Sequence, residues 1–560
     1  MPILQFKGKT FVQNHHLAVP YHQLIPKPDK SMADKVSLND NLIIHGDNLL
    51  ALKSLLPTYA GKVKCIYIDP PYNTGNEGWV YNDKVNGPII KEWIGQVVGK
   101  EGEDLVRHDK WLCMMAPRIK LLRELLRSDG VIFMSIGEEE LASLKSLSDE
   151  VFGEENFISI VTRIAKTASN KGTYFAPSAD FLVVYAKNKV FLPSFQGEVD
   201  TSLYKKSDEK GQFRDDVALY QSALDSRPNQ RYYIECPDGS MVIPPGNVFP
   251  EEKKDAAFVK PKDNNDKVWR WSYQTYQENK NLLVFKETKT SPLLDEDENK
   301  AKYNIYTKSY LTERKKSGTQ PRNFLTDFIN RKSADFLKTI GVKFDYGKPV
   351  ELVSYLLSIC GVESGDIVLD SFAGSGTTAQ AVLELNKEDG GNRKFILVEM
   401  EDYADTITAE RVRRVIKGVP KAKNELVQKG LGGSFSFFEL GDAIEMESLL
   451  SGEDLPGYEE LARYLYYTAT GDEFVPDKLD EVSHFIGSND DYDVFVYYKP
   501  DIGYLKTTAL TLDEARALRE KAGSKPLLVF APTKYVEQQT LDELKITFCQ
   551  LPFEIYRMKK

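Results

Sequence analysis

Residues 367–385 read "IVLDSFAGSGTTAQAVLEL". Ile367, Val368 and Leu369 have strand character and stop at Asp370; Gly374 and Gly376 follow, and then apolar residues recur at helical spacing. Glycine relieves the steric bar on positive φ, so this pair lets the backbone turn sharply and approach a ligand before a helix begins. Strand, glycine turn and helix in succession form the unit from which doubly wound α/β sheets are built. Two nucleotide readings fail here. Ala379 stands where G-x-G-x-x-G needs its third glycine, and "GKT" at 8–10 has Ile3 where G-x-x-x-x-G-K-[ST] needs its first. ATP and NAD are therefore disfavoured.

The next strand, "RKFILVEME", carries Glu399 at its end. In doubly wound sheets ligands lie beyond the carboxyl ends of strands, where an acid can take both hydroxyls of a ribose; a salt-bridged surface glutamate is the alternative. A ligand with a ribose and no pyrophosphate suits this pair of motifs, and S-adenosylmethionine is such a ligand. "GKPVELVSYLLSICGV" before the glycine turn and "YADTITAERVRRVIKG" after Glu399 read as helices.

The same alternation occurs much earlier. "NLIIHGD" and "VKCIYID" are strand-like, with "NLLALKSLLPTYAG" helical between them. "WLCMMAPRIKLLRELLRSDG" follows as a helix stopped by Gly130, then strand "VIFMSIG", helix "EEELASLKSLSDEVFG" and strand "DFLVVYAKN". Residues 191–335 lose this rhythm and become rich in turns, aromatics and basic side chains, as a mostly β or mixed insertion would. Residues 441–560 are acidic and aromatic, with strand candidates "DYDVFVYYKP" and "PLLVFAP". The expected division is 1–190, 191–335, 336–440 and 441–560, the first and third parts being halves of one sheet.

The first half contains "VKCIYIDPPYNTG" at 63–75, a strand running into Asp69, Pro70, Pro71 and Tyr72. Prolines cannot continue a ladder, so the run would serve simply to end a strand. It also has a chemical reading. An exocyclic amine attacking a sulfonium methyl needs acceptors for its N–H bonds and a flat surface for its ring. The Asp69 carboxylate and Pro70 carbonyl can accept, the Pro70-Pro71 step aims that carbonyl, and Tyr72 can stack. That arrangement suits a base flipped out of a duplex. Two rare motifs, each at a strand end of one reassembled sheet, favour the chemical reading.

The composition fits a chain of several globular domains: 560 residues, 41% hydrophobic and 28% charged. No apolar run reaches the roughly 18–20 residues of a membrane span, and the N-terminus lacks the apolar core of a signal peptide. A cytoplasmic protein of a bacterium or archaeon, with no membrane partner, is expected. Five scattered cysteines without C-x-x-C spacing point to reduced, mostly buried thiols, and six unclustered histidines point to no structural metal. The net charge of −10 does not exclude nucleic acid. Residues 441–560 hold 23 acidic against 13 basic side chains, whereas residues 201–340 hold 25 basic against 21 acidic; local field steers a polyanion, not total charge.

DPPY with FAGSGTT resembles the DNA amino-methyltransferases, and DPPY ahead of the glycine motif with a long insertion between resembles their β-class order. The chain is more closely similar to the modification subunits of type III restriction systems. This similarity rests on "GDNLLALKSLLPTYAGKVKCIYIDPPYNTGN", "RPNQRYYIECPDGSMVIPPG" followed by "VWRWS", "GKPVELV" before the glycine motif, and the tail "VFAPTKYVEQQTLDELKITFCQLPFEIYR". The resemblance implies an α/β fold: a Rossmann-like S-adenosylmethionine-dependent methyltransferase sheet, circularly permuted, with an inserted target-recognition domain and a C-terminal α/β region. It implies N6 methylation of adenine in double-stranded DNA, with Asp69, Pro70, Pro71 and Tyr72 at the target base. S-adenosylmethionine would be held by Asp370, Phe372, Gly374, Gly376, Thr377 and Glu399, with Lys348 and Pro349 as further contacts. Family members usually read proline-lysine-proline where this chain has Gly347-Lys348-Pro349. Asp47 either faces the cofactor's adenine or caps a helix.

In the insertion, Arg227, Arg231 and Arg270 are candidate DNA contacts; Trp269 and Trp271 either stack on bases or fill a β core. No cysteine follows a proline, which disfavours cytosine C5 chemistry. Cytosine N4 methylation shares the amine chemistry, but its motif more often begins with serine. A silent recognition subunit is a rival from another class, and intact DPPY and FAGSGTT argue against it. The resemblance further implies a homodimer and a separate ATP-dependent helicase-nuclease restriction subunit. The acidic 441–560 region is the candidate surface for these partners, because its charge repels DNA.

Overall fold

The computed structural model describes residues 4–74, 107–167, 174–197, 199–224, 227–344, 347–444, 455–472 and 474–551. The chain divides into a main unit, residues 1–194 with 322–560, and an inserted unit, residues 195–321. Strands β1 (His22–Pro26), β2 (Leu42–His45), β3 (Val63–Ile68), β4 (Leu126–Ile136), β5 (Phe157–Ile164) and β6 (Ala179–Ala186) precede the insertion. The insertion holds β7 (Lys206–Asp208), β8 (Gly211–Ala218), β9 (Ile234–Glu235), β10 (Met241–Val242), β11 (Leu283–Glu287) and β12 (Tyr303–Tyr310). The main unit then resumes with β13 (Phe324–Leu325), β14 (Ile367–Asp370), β15 (Lys394–Glu399) and β16 (Ser436–Ala443).

The main sheet has the order β1-β16-β2-β15-β14-β3-β4-β6-β5-β13. From β16 to β4 every neighbouring pair is parallel. Parallel strands covered on both faces must be apolar throughout, and all six residues of β3 are buried. Lys64 conforms by donating to the carbonyl and a carboxylate oxygen of Asp129, at 3.0 and 2.9 Å.

The later block is threaded into the earlier one: β14 and β15 lie between β2 and β3. After β14 the chain steps outward to β15, and after β3 it steps the opposite way to β4. A reversal of strand order of this kind is the place where doubly wound sheets bind ligands, beyond the strand ends. Leu369 pairs with Ile66, so Asp370 and Asp69 leave the sheet at the same edge. One site is thus assembled from segments about 300 residues apart in sequence.

Several expectations need correction. The helix expected to run to Gly130 spans Arg107–Leu125, and β4 begins at Leu126 with Gly130 inside it. The strand shifts register between Leu126 and Val131, and a Cβ on Gly130 would lie 3.0 Å from the Val63 carbonyl oxygen and 2.9 Å from that of Arg127. Gly130 therefore permits a close backbone approach within the strand rather than ending the helix. The insertion closes at residue 321 rather than 335, because Phe324 and Leu325 pair with Thr162 and Arg163 of β5.

Residues 441–560 do not separate from the main unit either. Their strands β17 (Phe485–Ser488), β18 (Asp493–Val496), β19 (Leu527–Ala531) and β20 (Ile546–Gln550) form a second sheet in that order. The helix Tyr458–Thr470 lies against the helix Asn48–Tyr59, and Leu461, Leu465, Leu52 and Leu56 belong to one apolar core. All five cysteines are buried and free. Among the described residues no helix is long and apolar enough to cross a membrane.

The inserted unit centres on the antiparallel sheet β11-β12-β8-β7. A separate core contains Tyr232, Trp269, Tyr276, Tyr303 and Ile305.

Candidate active site

Asp69 stands one residue beyond β3, and the two prolines that follow end the ladder. The loop is then fixed by contacts that the local sequence does not announce. The Trp111 indole donates to the Pro71 carbonyl at 2.7 Å, and the Tyr72 hydroxyl donates to Asp180 at 3.3 Å. Asp180 is itself paired with Arg163, which is fully buried and also donates to the Phe328 carbonyl at 2.8 Å and to Asn330 at 2.9 Å. Asn73, buried with φ of 59°, donates to Glu140, and Glu140 also bonds His108 Nδ1 at 2.7 Å. Asparagine tolerates that left-handed conformation better than most residues.

The glycine motif folds around its own acids. Asp370 accepts from the Thr378 hydroxyl at 2.6 Å and the Phe372 N–H at 3.0 Å. Gly374 and Gly376 have φ of 50° and 77°, the left-handed turn that sequence reading requires of them. The Gly374 N–H donates to Glu399 at 2.7 Å, as does the Glu401 N–H at 3.1 Å. A Cβ on Gly376 would sit 3.1 Å from the Thr408 carbonyl oxygen. Burial is the main cause that raises both acids: Asp370 to about 7, with the nearby Asp69 charge adding to the rise, and Glu399 to about 8. Carboxyls raised this far hold much of their protons at neutral pH and gain most from a ligand whose hydroxyls or positive charge favour the ionised form, which a phosphate does not do. S-adenosylmethionine, with its ribose diol, ammonium and sulfonium, fits that donor set.

Lys348 joins the two motifs. Its carbonyl accepts from Thr377 Oγ1 at 3.3 Å, while its ammonium donates to both Asp69 oxygens at 2.6 and 2.5 Å. The same ammonium lies 4.9 Å from the centre of the Tyr72 ring. Pro349 then leads into the helix Val350–Ile359. The departure at Gly347 has a steric cause: a Cβ there would meet Ser333 Oγ at 2.7 Å and Leu337 Cδ1 at 2.9 Å.

Asp47, expected either at the cofactor or as a cap, is the N-cap. It accepts from the Leu49 and Leu50 N–H groups at 2.7 and 3.4 Å, and from Arg118 on both oxygens at 3.2 Å. Its neighbour Asn48 reaches the glycine motif, donating to the Ser371 carbonyl at 2.9 Å. Arg411, 1% exposed, is a further support that sequence reading missed. It donates to Ser375 Oγ at 2.8 Å, Thr377 Oγ1 at 2.9 Å and Gln380 at 2.9 Å. Burial pushes its guanidinium down to about 10, so it remains a cation at neutral pH. Arg411 lies on a helix legible in the sequence, but no spacing rule distinguishes an inward arginine from an outward one.

In the inserted unit Arg227 and Arg270 are exposed, as a DNA contact requires. Arg231 is not: it is 0% exposed and donates to the carbonyls of Val248, Pro244, Pro245 and Lys267 at 2.7–3.1 Å. Sealed from solvent, it organises loops and presents nothing to a phosphate. Trp269 is likewise a core residue, fully buried with its indole N–H on the Tyr232 carbonyl at 2.8 Å; Trp271 packs at the edge of that core.

A family model described as DNA methylase matches residues 63–410. The chain is 30% identical over 453 residues to the Mod subunit of the type III restriction-modification enzyme EcoPI of Escherichia phage P1, covering 74% of this chain and 68% of that one. It is 28% identical over 465 residues to the StyLTI Mod subunit of Salmonella typhimurium, covering 77% and 65%. It is also 31% identical over 386 residues to the type II methyltransferase M.KpnI of Klebsiella pneumoniae, covering 66% and 82%. The chain therefore spans about two thirds of the length of these two type III relatives.

Proposed function

The chain belongs to the DNA methylase family of N6 and N4 amino-methyltransferases, and on that premise we propose that it methylates N6 of a flipped adenine in double-stranded DNA. S-adenosylmethionine is the donor, and the protein serves as modification and recognition subunit of a type III restriction-modification system. The observation that carries this reading is the adjacency of β3 and β14, which brings Asp69-Pro-Pro-Tyr72 and the glycine motif to one edge of one sheet.

When bound, S-adenosylmethionine supplies a methyl group on a sulfonium. The residues of this chain orient the acceptor. The amine's lone pair is delocalised into the purine ring, and N–H bonds donated to Asp69 and to the Pro70 carbonyl favour a more tetrahedral, more nucleophilic nitrogen. Tyr72 holds the ring in plane, and Asp180 and Trp111 hold Tyr72 and the loop. Such fixed geometry supplies much of the rate where the attack must be in line. Asp69 takes the proton lost from N6, or passes it to water. Aspartate at the head of the motif favours adenine over cytosine N4, where serine is commoner.

The names of the type III relatives, each a Mod subunit of a restriction-modification enzyme, support DNA as substrate and a further subunit as partner. That this partner is an ATP-dependent helicase-nuclease and that the chain is a homodimer are part of the proposal and rest on the sequence resemblance alone. The sequence contains no G-x-x-x-x-G-K-[ST] loop, so ATP chemistry falls to that partner. The test is expression in a methylation-free host, with modified bases read by long-read sequencing beside Asp69→Ala. Methyl-adenine at one short sequence, lost in the variant, is expected. Methyl-cytosine would move the assignment to N4, and site-specific binding with no modified base would make the protein a silent recognition subunit.

A further inference from the structure

Lys348 holds the position that the target base must take. We propose that its ammonium is a placeholder for the target amino group, released from Asp69 when the α-carboxylate of S-adenosylmethionine offers a second anionic partner. Cofactor occupancy then opens the base pocket. The inference rests on the function proposed above and adds an order of binding to it.

The ammonium donates to both oxygens of Asp69 and lies over the Tyr72 ring at 4.9 Å. A flipped adenine uses the same two groups, its amine on the carboxylate and its ring on the tyrosine. Stacked rings have centroids about 4.5–7 Å apart, so a base on that face and the ammonium compete for one space. The cation–π contact and the ion pair together form a closed arrangement that a base has to break.

The backbone of Lys348 belongs to the other half of the site. Its carbonyl is held by Thr377, and close packing at Gly347 against Ser333 and Leu337 fixes the segment. The lysine thus pivots from the cofactor cradle while its tip rests on the base motif. Its charge is felt in that cradle, drawing the Asp370 carboxyl downward against the rise from burial. The pair is mostly buried, with side-chain exposures of 9% and 21%. An ammonium does not leave a buried carboxylate without another partner, because an unpaired buried charge is costly. The cofactor's carboxylate is such a partner; a nucleoside without one is not.

The test uses the whole protein and a duplex carrying 2-aminopurine in place of the methylated adenine, whose fluorescence rises when the base leaves the stack. Three arms are compared at saturating ligand: no ligand, 5′-methylthioadenosine, and S-adenosylhomocysteine, which alone of these carries the α-carboxylate. We expect a rise at least about fivefold larger with S-adenosylhomocysteine than in the other two arms, with gel-shift binding of the duplex similar in all three. Lys348→Met and Lys348→Gln are expected to give the rise without ligand. Equal fluorescence in all three wild-type arms overturns the placeholder, as does a Lys348→Met protein that binds duplex yet still requires S-adenosylhomocysteine. A wild-type protein that methylates no DNA overturns the proposed function and this inference with it; one that methylates but flips without ligand overturns the inference alone.

Discussion

Glu399 ends β15 with a carboxyl that burial pushes up to about 8, although it accepts two backbone N–H bonds. On the proposed function, ribose hydroxyls donate to its ionised form, and cofactor binding would expel the proton. Affinity for S-adenosylhomocysteine should therefore rise as pH climbs to about 8 and level off above it. Calorimetry in buffers of different ionisation enthalpy should detect the proton released at pH 7. Glu399→Gln should bind more weakly and lose the dependence. Stability moves in the opposite direction. Glu399 binds its proton more tightly folded than unfolded, so its contribution is fully present below the ordinary carboxyl range and is lost as pH rises to about 8. The stability difference between Glu399→Gln and wild type should accordingly shift in the variant's favour over that window, as measured by urea unfolding. The acid's place at a strand end was legible from a single motif. Its proton affinity was not, since burial on both faces of a sheet is a property of the assembled fold.

At the scale of elements, the Gly347-Lys348-Pro349 segment depends on the helix Asn330–Thr339 packed against it. Gly347→Ala would press a Cβ onto Ser333 and Leu337, costing about 1–3 kcal/mol; Ser333→Ala should recover part of that loss in denaturant unfolding. The insertion makes a sharper contrast. Arg231→Ala strands buried carbonyls, each costing about 1–3 kcal/mol, and should lower the unfolding midpoint of that unit. Arg227→Ala and Arg270→Ala should leave the midpoint unchanged. Each should flatten the dependence of log K on log salt for duplex binding by about 0.9 for every phosphate that the arginine neutralises. Sequence alone placed all three arginines in one group, because an arginine near aromatics has the same composition whether it faces water or carbonyls. Strand-and-helix alternation was legible where apolar periodicity is strong, in β2, β3, β14 and β15. It failed at Gly130, where a close strand approach rather than a helix stop explains the glycine.

At the scale of the whole main unit, the acidic C-terminal region is structural as well as a candidate for partners. Its helix Tyr458–Thr470 contributes Leu461 and Leu465 to the core that Leu52 and Leu56 also occupy, and the Tyr464 ring centre lies 4.5 Å from that of Tyr21. Leu465→Ala should cost about 2–5 kcal/mol in the main unit's unfolding transition. A chain cut before this helix would expose that apolar face, so loss of partner binding on truncation would not identify a docking surface. Surface substitutions on the exposed acids of 477–501 are the cleaner probe.

Residue chemistry and chain order by themselves determined an α/β sheet in two blocks, an insertion between them, and two motifs at strand ends. Strand stops, glycine turns and apolar periods are local properties of neighbouring residues. Tertiary structure decided the rest: that β14 enters beside β3, that the insertion closes at residue 321, and that Asp47 caps a helix. It also decided that Lys348 finds Asp69 across 279 residues of chain. A long flexible cation takes the nearest buried anion, and which anion is nearest depends on how the two halves of the sheet come together.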